Sequence, residues 1–138
     1  MMAIRTFARW MLGVAFVAAG VPHFVRPDLY LPMMPPYLPW HGELIFISGG
    51  FEILGGLSVL WPDQRIQRVA GLGLIALLIT IFPANLHMAL HDTPILEQHF
   101  SPAVRWGRLP LQLVLMAWVW WATRPRPLSP GWQTTERT

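Results

Sequence analysis

The sequence contains no cysteine and no lysine, and both absences limit its chemistry. Without cysteine the chain forms no disulfide, carries no nucleophilic thiolate and offers no thiolate to zinc or to an iron–sulfur cluster. Any redox role would therefore need a bound cofactor or a partner protein. The positive charges are ten arginines, and they form no basic face interleaved with aromatic residues. Nothing in the sequence therefore indicates nucleic-acid binding.

Charge of either sign is scarce. Only 12% of the 138 residues are charged, about half of the roughly 25% that is usual in soluble domains. Hydrophobic residues make up 54% of the chain, they fall in long runs, and the mean hydropathy is +0.42. This composition predicts one small integral membrane domain, with no room for a second domain.

The apolar runs predict four helices, at about residues 4–24, 43–61, 66–90 and 107–123. Each run is close to the roughly 20 residues that span a bilayer. We therefore expect an all-α, transmembrane four-helix bundle over residues 1–124, followed by a mobile cytoplasmic tail at 125–138. The first run follows Arg5 and Arg9 and resembles a signal peptide, but we interpret it as an uncleaved first helix.

Small residues and prolines mark special points in these runs. Gly13 and Gly20 lie on one stripe of the first helix and should let another helix approach closely. Pro22 should kink or end the same helix just before His23. Pro83 should break the third helix near its far end, where nearby polar side chains could bond the released backbone groups.

A proline-rich loop at residues 25–42 separates the first two predicted helices. Its five prolines rule out a regular helix and favour extended or polyproline-like backbone. The loop is nevertheless rich in apolar and aromatic side chains, including Tyr30, Met33 and Trp40. We expect it either to anchor the chain at the membrane interface or to fold over the bundle as a lid.

Glu52 is a carboxylate in the middle of the second predicted helix. It lies nine residues after Glu43, about 13 Å along the helix axis. A charge at that depth is costly unless it is paired, protonated or wetted, so Glu52 is a candidate functional residue. Ser48 and Gly56 flank it at helical spacing and predict that it faces another helix. Alternatively, Glu52 is protonated and only holds the bundle together through a hydrogen bond.

The distribution of arginine predicts the orientation. Seven arginines fall on one side of the predicted bundle and three on the other. Because arginine is enriched in cytoplasmic segments, both termini should lie in the cytoplasm, with the chain in the bacterial inner membrane. Tryptophans then form an inner belt of four residues and an outer belt of two: Trp10, Trp61, Trp120 and Trp121, and Trp40 and Trp106.

On this topology the intramembrane polar residues cluster toward the outer side. They predict an outward-facing polar pocket with Glu52 at its floor and the proline-rich loop across its mouth. The inner half of the bundle shows no comparable set. Alternatively, the cluster is a hydrogen-bonded network that only fixes helix register. The expected ligand-binding residues are Glu52, His23, Asn85, His87, Arg108 and Gln112.

A metal site is a sharper alternative that the sequence does not favour. His87 and His91 are four residues apart, a spacing that can present two imidazoles to one metal ion. Asp92, His99 or His23 could supply a third ligand. However, no tight metal-binding motif is present, and histidine pairs at a helix end are common.

The chain resembles the DoxX-like family of small bacterial integral membrane proteins over nearly its whole length, in the segments GVPHFVRPDLYLPMMPPYLP, SGGFEILGGLSVLWP, FPANLHMAL and RLPLQLVLMAWVWWATR. The resemblance implies a four-helix bundle in the inner membrane. Some members are subunits or accessory proteins of redox systems, including thiosulfate:quinone oxidoreductase and methylamine dehydrogenase maturation. The patterned positions that carry over are His23, Pro27, Glu52, Gly55, Gly56, Pro83, Asn85 and His87.

The leading hypothesis is a pocket that binds a small amphiphilic or quinone-like molecule, in an accessory protein or subunit of a membrane redox system. Glu52 would be the central acceptor or proton carrier, Arg108 would balance charge, and His23, Asn85 and His87 would position the head group. A redox partner protein and a homo-oligomer are further expectations. The alternatives are a ligand-free membrane scaffold and a small oligomeric transporter. An autonomous enzyme is disfavoured because no nucleophile–base pair or nucleotide motif is visible.

Overall fold

The computed structural model describes residues 2–125. No strand occurs in this part of the chain, and an isolated β-bridge joins Ile95 to Gln98. The expected tail lies outside the described residues from position 126 onward. The described residues form five α-helices: α1 Met2–Gly20, α2 Pro22–Val25, α3 His41–Leu60, α4 Gln64–Leu90 and α5 Pro102–Thr123.

The all-helical prediction is confirmed, and the helices indicate a membrane protein. Three segments within residues 2–125 are long and apolar enough to cross a bilayer: Ala3–Val25, His41–Leu60 and Gln64–Leu90. They contain 23, 20 and 27 residues, where about 20 suffice. Large apolar side chains such as Phe7 and Phe51 face outward, a surface that suits lipid and would be a liability in water.

The four long helices pack in the ring order α1, α3, α4, α5, and α5 also contacts α1. Each of them contributes to one shared hydrophobic core. The side chains at its centre, one from each helix, are at most 1% exposed: Leu12, Val59, Leu74 and Val119. The buried polar residues therefore lie toward the two ends of the bundle, where the loops connect the helices.

Helices α1 and α3 approach each other through glycine. A Cβ atom on Gly56 would lie 2.7 Å from the carbonyl oxygen of Gly13, and one on Gly20 would lie 2.7 Å from that of Gly49. Real Cβ atoms essentially never come this close to a neighbour. The predicted role of Gly13 and Gly20 is therefore confirmed, and the close contact fixes where α3 lies against α1.

The two prolines within apolar runs behave differently. Pro22 follows the prediction: α1 ends at Gly20, and Pro22 begins α2, where a missing N–H is tolerated. The predicted break at Pro83 is wrong, since α4 continues through it to Leu90. Gln112 of α5 also donates a hydrogen bond to the Leu78 carbonyl, next in the chain to the Ile79 carbonyl that Pro83 leaves without its helical N–H donor.

The proline-rich loop is folded rather than extended. It forms two 3₁₀ turns, Pro27–Leu29 and Leu31–Met33, because the fixed φ of proline also suits the first turn of a helix. The loop packs against α3 and α4. Pro35 is fully buried, and the ring nitrogen Nε2 of His41 donates to its carbonyl at 3.0 Å. The polyproline-like prediction is therefore wrong, whereas a loop lying over the bundle agrees with the structure.

Helix α5 begins five residues before the predicted start at 107. Ser101 caps it, since its hydroxyl oxygen accepts from the backbone N–H of Val104, and Pro102 occupies the first helical position. This Ser-Pro pair is a helix-start signal that the reading of hydropathy alone overlooked. The longer α5 carries Arg105 and Arg108 within its first two turns.

Candidate functional site

A polar cavity of about 260 Å³ lies at the end of the bundle that the proline-rich loop covers. All four sides of the ring contribute to its wall, and the loop supplies three more side chains. The lining residues that can form hydrogen bonds or polar contacts are His23, Tyr30, Met33, Ser48, Glu52, Asn85 and Arg108. The predicted convergence of polar residues from different helices is thus present in the structure.

Glu52 and His23 form one side of the cavity. The carboxylate oxygen Oε2 of Glu52 lies 3.7 Å from the ring nitrogen Nε2 of His23, and both side chains are only 9% exposed. This separation is too long for a direct hydrogen bond. The Oε2 atom is buried and has no hydrogen-bond partner among residues 2–125. A buried, unsatisfied carboxylate oxygen is costly, so it is the most distinctive atom of the site.

The other nitrogen of His23 is held by α3. Its Nδ1 atom lies 2.9 Å from the carbonyl oxygen of Ile45 and 3.1 Å from the hydroxyl of Ser48, which itself donates to Ile45. Because a carbonyl oxygen only accepts, we assign the ring proton to Nδ1. When His23 is neutral, its Nε2 atom presents a lone pair toward Glu52, and a proton on the Glu52 carboxyl would lie between the two groups.

The opposite wall is a hydrogen-bonded relay between α4 and α5. The guanidinium of Arg108 donates to the Asn85 side-chain oxygen at 3.3 Å, and the Asn85 amide donates to Gln112 at 2.9 Å. Gln112 in turn donates to the Leu78 carbonyl. This chain of hydrogen bonds orients Arg108 toward the cavity, and the side-chain amides of Asn85 and Gln112 each donate one bond and accept one.

The loop closes the remaining side. The ring of Tyr30 lies on that of His23, with centroids 3.9 Å apart, and the sulfur of Met33 lies 3.9 Å from the Arg108 guanidinium. Burial raises the pKa of the Tyr30 phenol above its ordinary value, the charge of Glu52 acts in the same direction, and that of Arg108 opposes it. These contacts make the loop part of the site.

The predicted residues separate into three groups. His23, Glu52, Asn85 and Arg108 line the cavity. Gln112 lies behind Asn85, where it braces the wall without lining the space. His87 is not among the lining residues, since its ring stacks on that of His91 with centroids 4.2 Å apart.

The histidine pair does not extend into a metal-binding cluster in the described part of the chain. No group of three or more His, Cys, Asp or Glu residues is placed there to hold a metal ion. The Nδ1 atom of His91 lies 3.0 Å from the backbone carbonyl of His87. His99 pairs with Asp92 at 3.2 Å in the following loop.

Sequence reasoning missed a second polar cluster at the other end of the bundle. The buried guanidinium of Arg9 donates to Gln67 at 2.9 Å, and Gln67 donates to the carbonyl of Trp61 at 2.6 Å. The prediction that this half holds no comparable polar set is therefore wrong. Arg9 was interpreted only as a topology signal, and its distance from Gln67 in sequence hides the pairing.

The sequence comparisons identify the family. Residues 12–123 match the family described as Domain of unknown function (DUF8561). The chain belongs to the DUF8561 family. The matched range contains every residue that lines the polar cavity. No curated protein and no solved structure matches the chain, so the function of this DUF8561 protein has to be argued from its own residues.

Proposed function

We propose that this DUF8561 protein binds the polar head of a small amphiphilic or quinone-like molecule in the cavity beside Glu52. The observation that carries the proposal is the buried Oε2 atom of Glu52, which lacks a hydrogen-bond partner and borders a cavity of about 260 Å³. A ligand hydroxyl would satisfy this oxygen, and hydrogen bonds to charged groups contribute roughly 1.5–3 kcal/mol.

The proposal includes a four-helix transmembrane bundle in which α5 is the fourth span. Helix α5 has 22 residues, about 33 Å at 1.5 Å rise per residue, and it packs beside α4 and α1. Its outward side chains Leu111, Leu113 and Val114 are mostly exposed and suit lipid. Arg108 makes α5 less apolar than the other three spans, but this side chain lines the polar cavity instead of facing lipid.

The cavity is proposed to face outward from the bacterial inner membrane, with both termini in the cytoplasm. Arginines gather at the opposite end of the bundle, where Arg5 donates to the Arg124 carbonyl and Arg68 lies over the ring of Trp120 at 4.3 Å. Arginine near span ends favours the cytoplasmic side. A tryptophan beside these arginines is also typical of a membrane interface.

The two walls of the cavity offer complementary groups to a quinone-like head. On one wall, the Oε2 atom of Glu52 can accept a hydrogen bond from a hydroxyl of the head, and Nε2 of His23 lies beside it as a second acceptor. Arg108, on the far wall, carries N–H groups that can donate to a carbonyl oxygen. A head with an oxygen at each end would therefore match both walls.

A role as accessory protein or subunit of a redox system follows from the same chemistry. The chain has no cysteine, so a bound quinone would exchange electrons with a partner protein rather than with a thiol of this chain. The likeness to DoxX-like proteins in the helix segments around His23, Glu52 and Asn85 supports this direction. The chain itself would hold the quinone head and manage its proton.

A binding titration with a short-tailed benzoquinone kept in its reduced form, whose hydroxyl can donate to Glu52, tests this function. Quenching of tryptophan fluorescence in mild detergent would report binding, since the chain has eight tryptophans. We expect Glu52→Gln to weaken binding at least about tenfold, the factor that corresponds to 1.4 kcal/mol. Glu43→Gln is the matched control, because it removes the same charge from an exposed position of the same helix.

The alternatives predict other results. A ligand-free scaffold gives no binding curve in any variant, while Glu52→Gln changes the melting temperature in detergent. A transporter gives uptake of solute into liposomes that carry the wild-type protein. Equal affinity of wild type and Glu52→Gln for the quinone would contradict the assignment of Glu52.

A further inference from the structure

A second, larger space lies between α3 and α4. This groove has a volume of about 920 Å³ and an almost entirely apolar lining. Small residues line it along α4, where they leave the space open: Ala70, Gly73, Ala76, Thr80 and Ala84. A row of small residues is not by itself a site, so its relation to the polar cavity decides what the groove can hold.

The groove adjoins the polar cavity. The two spaces share four lining residues, one from the loop, one from α3 and two from α4: Met34, Ser48, Ile81 and Ala84. A molecule whose head lies beside Glu52 would therefore have the groove next to it for an apolar tail, across these shared side chains. The buried, partnerless Oε2 atom of Glu52 at the other side of this junction independently indicates a polar head.

The length of the groove limits the tail. Its lining runs from Leu44 to Ser58 on α3 and from Arg65 to Ala84 on α4, about 21 and 28 Å along the two helix axes. One leaflet accounts for half of the hydrocarbon core, or about 15 Å. A tail that fills the groove must therefore cross the bilayer midplane, which the acyl chains of a single-leaflet phospholipid do not do.

The depth of the cavity limits the head. Glu52 lies eleven residues into α3, counted from His41, about 16 Å along the axis. A phosphate head group stays at the membrane surface, where water and counterions solvate its charge. An uncharged head can follow the groove to this depth, and Glu52 and Arg108 can then bond its oxygens.

We propose that the groove holds the single, long apolar tail of the same molecule whose uncharged oxygen-bearing head occupies the polar cavity. The ligand class is then a lipid with a polyisoprenoid-like tail. This inference rests on the proposed function and adds the tail to it. It predicts that affinity depends on tail length through contacts in the groove.

Gly73 offers a substitution that fills the groove without disturbing the fold. It lines the groove, and a Cβ atom added there meets no atom within 4 Å. Gly73→Leu should therefore block the tail while favouring the helix, because leucine has a higher helix propensity than glycine. Gly107→Leu is the matched control, since Gly107 is also helical with open space around its Cβ position but lines neither space.

The test measures binding of benzoquinones, kept in their reduced form, that carry one, two or four isoprene units to wild type, Gly73→Leu and Gly107→Leu. All titrations use one detergent, so that partitioning of the tail into micelles cancels between variants. We expect Gly73→Leu to weaken binding of the longest-tailed quinone roughly tenfold, the effect of losing about two buried methylene groups. The shortest-tailed quinone should bind to all three proteins alike.

The outcomes separate this inference from the proposed function. If the quinones bind in a Glu52-dependent manner but Gly73→Leu has the same affinity as wild type at every tail length, the groove holds bilayer lipid and the inference is overturned. If no quinone binds to any variant, the proposed function fails, and the tail site fails with it. A loss at every tail length, equal for the three quinones, would also contradict a tail site.

Discussion

The Nε2 atom of His23 lies 3.7 Å from the Oε2 atom of Glu52, and both side chains are buried where α2 passes α3. The other ring nitrogen, Nδ1, lies 2.9 Å from the Ile45 carbonyl oxygen, so the ring cannot turn without losing that hydrogen bond. The pair therefore places a carboxyl group and a ring nitrogen side by side, where they can compete for one proton. This arrangement links two helices and gives the cavity its chemistry.

This relationship predicts energetic coupling between His23 and Glu52. In a double-mutant cycle of His23→Ala and Glu52→Gln, the two effects on the free energy of unfolding should be non-additive by about 0.5–3 kcal/mol, the range for contacting residues. The measurement is unfolding in mixed micelles. A control cycle of His23→Ala and Glu43→Gln should be additive, because Glu43 lies on the exposed face of α3. If His23 and Glu52 show no more coupling than this control cycle, the two side chains do not interact.

Gln112 should stabilise the junction between α4 and α5. Gln112→Met keeps the side-chain volume but removes the hydrogen bond to the Leu78 carbonyl and leaves the Asn85 amide without its acceptor. We expect the free energy of unfolding to fall by about 1–2 kcal/mol, within the range for polar contacts between helices in membranes. Gln98→Met in the exposed loop is the control. A change at Gln112 no larger than that control would show that the relay contributes nothing.

The close approach of α1 and α3 predicts opposite effects for two neighbouring glycines. A Cβ atom at Gly56 would lie 2.7 Å from the Gly13 carbonyl, whereas one at Gly50 meets only the end of the Phe24 ring at 3.9 Å. Gly56→Ala should therefore destabilise the protein by about 1–3 kcal/mol, the usual cost of overpacking. Gly50→Ala should be neutral or slightly stabilising. Thermal unfolding in detergent checks both, and similar melting temperatures would contradict the predicted contact.

Tyr30 predicts a dependence of stability on alkaline pH. Because burial raises the pKa of its phenol, the folded state holds the phenolic proton more tightly than the unfolded state does. The resulting stability is complete below the ordinary phenol pKa of about 10 and is lost as pH rises from there through the raised folded-state pKa. Wild type should therefore lose more stability than Tyr30→Phe across this alkaline window.

Denaturation in detergent at several alkaline pH values would measure that difference, with Tyr37→Phe as the control because Tyr37 is exposed. Identical pH profiles for wild type and Tyr30→Phe would show that the loop does not pack over the cavity as described.

The sequence predicted the helical fold because apolar runs near bilayer length dominate its composition. Glu52, His23, Asn85 and Arg108 were also predicted to form one pocket, since the last three lie toward the same end of their runs and Glu52 lies at mid-helix below them, and they do line one cavity. Helical spacing and end assignment were sufficient for that inference. Three of the apolar segments meet the criteria for a membrane span.

Other features depended on contacts that a sequence does not display. The continuity of α4 through Pro83 is accompanied by a hydrogen bond from Gln112 to the Leu78 carbonyl, and Gln112 is far away in the chain. The buried hydrogen bond between Arg9 and Gln67 forms because the first half of α1 lies beside the beginning of α4, and the sequence does not show which helix ends are neighbours. His87 was expected at the site because of its position, but its ring turns toward His91 on its own helix.

The most direct test of the central claim is native mass spectrometry of the protein purified from membranes in mild detergent. The account predicts that wild type and Glu43→Gln retain a small, long-tailed lipid with an oxygen-bearing, uncharged head, and that Glu52→Gln has lost it. The same retained mass on Glu52→Gln as on wild type would contradict the claim that Glu52 holds the head group.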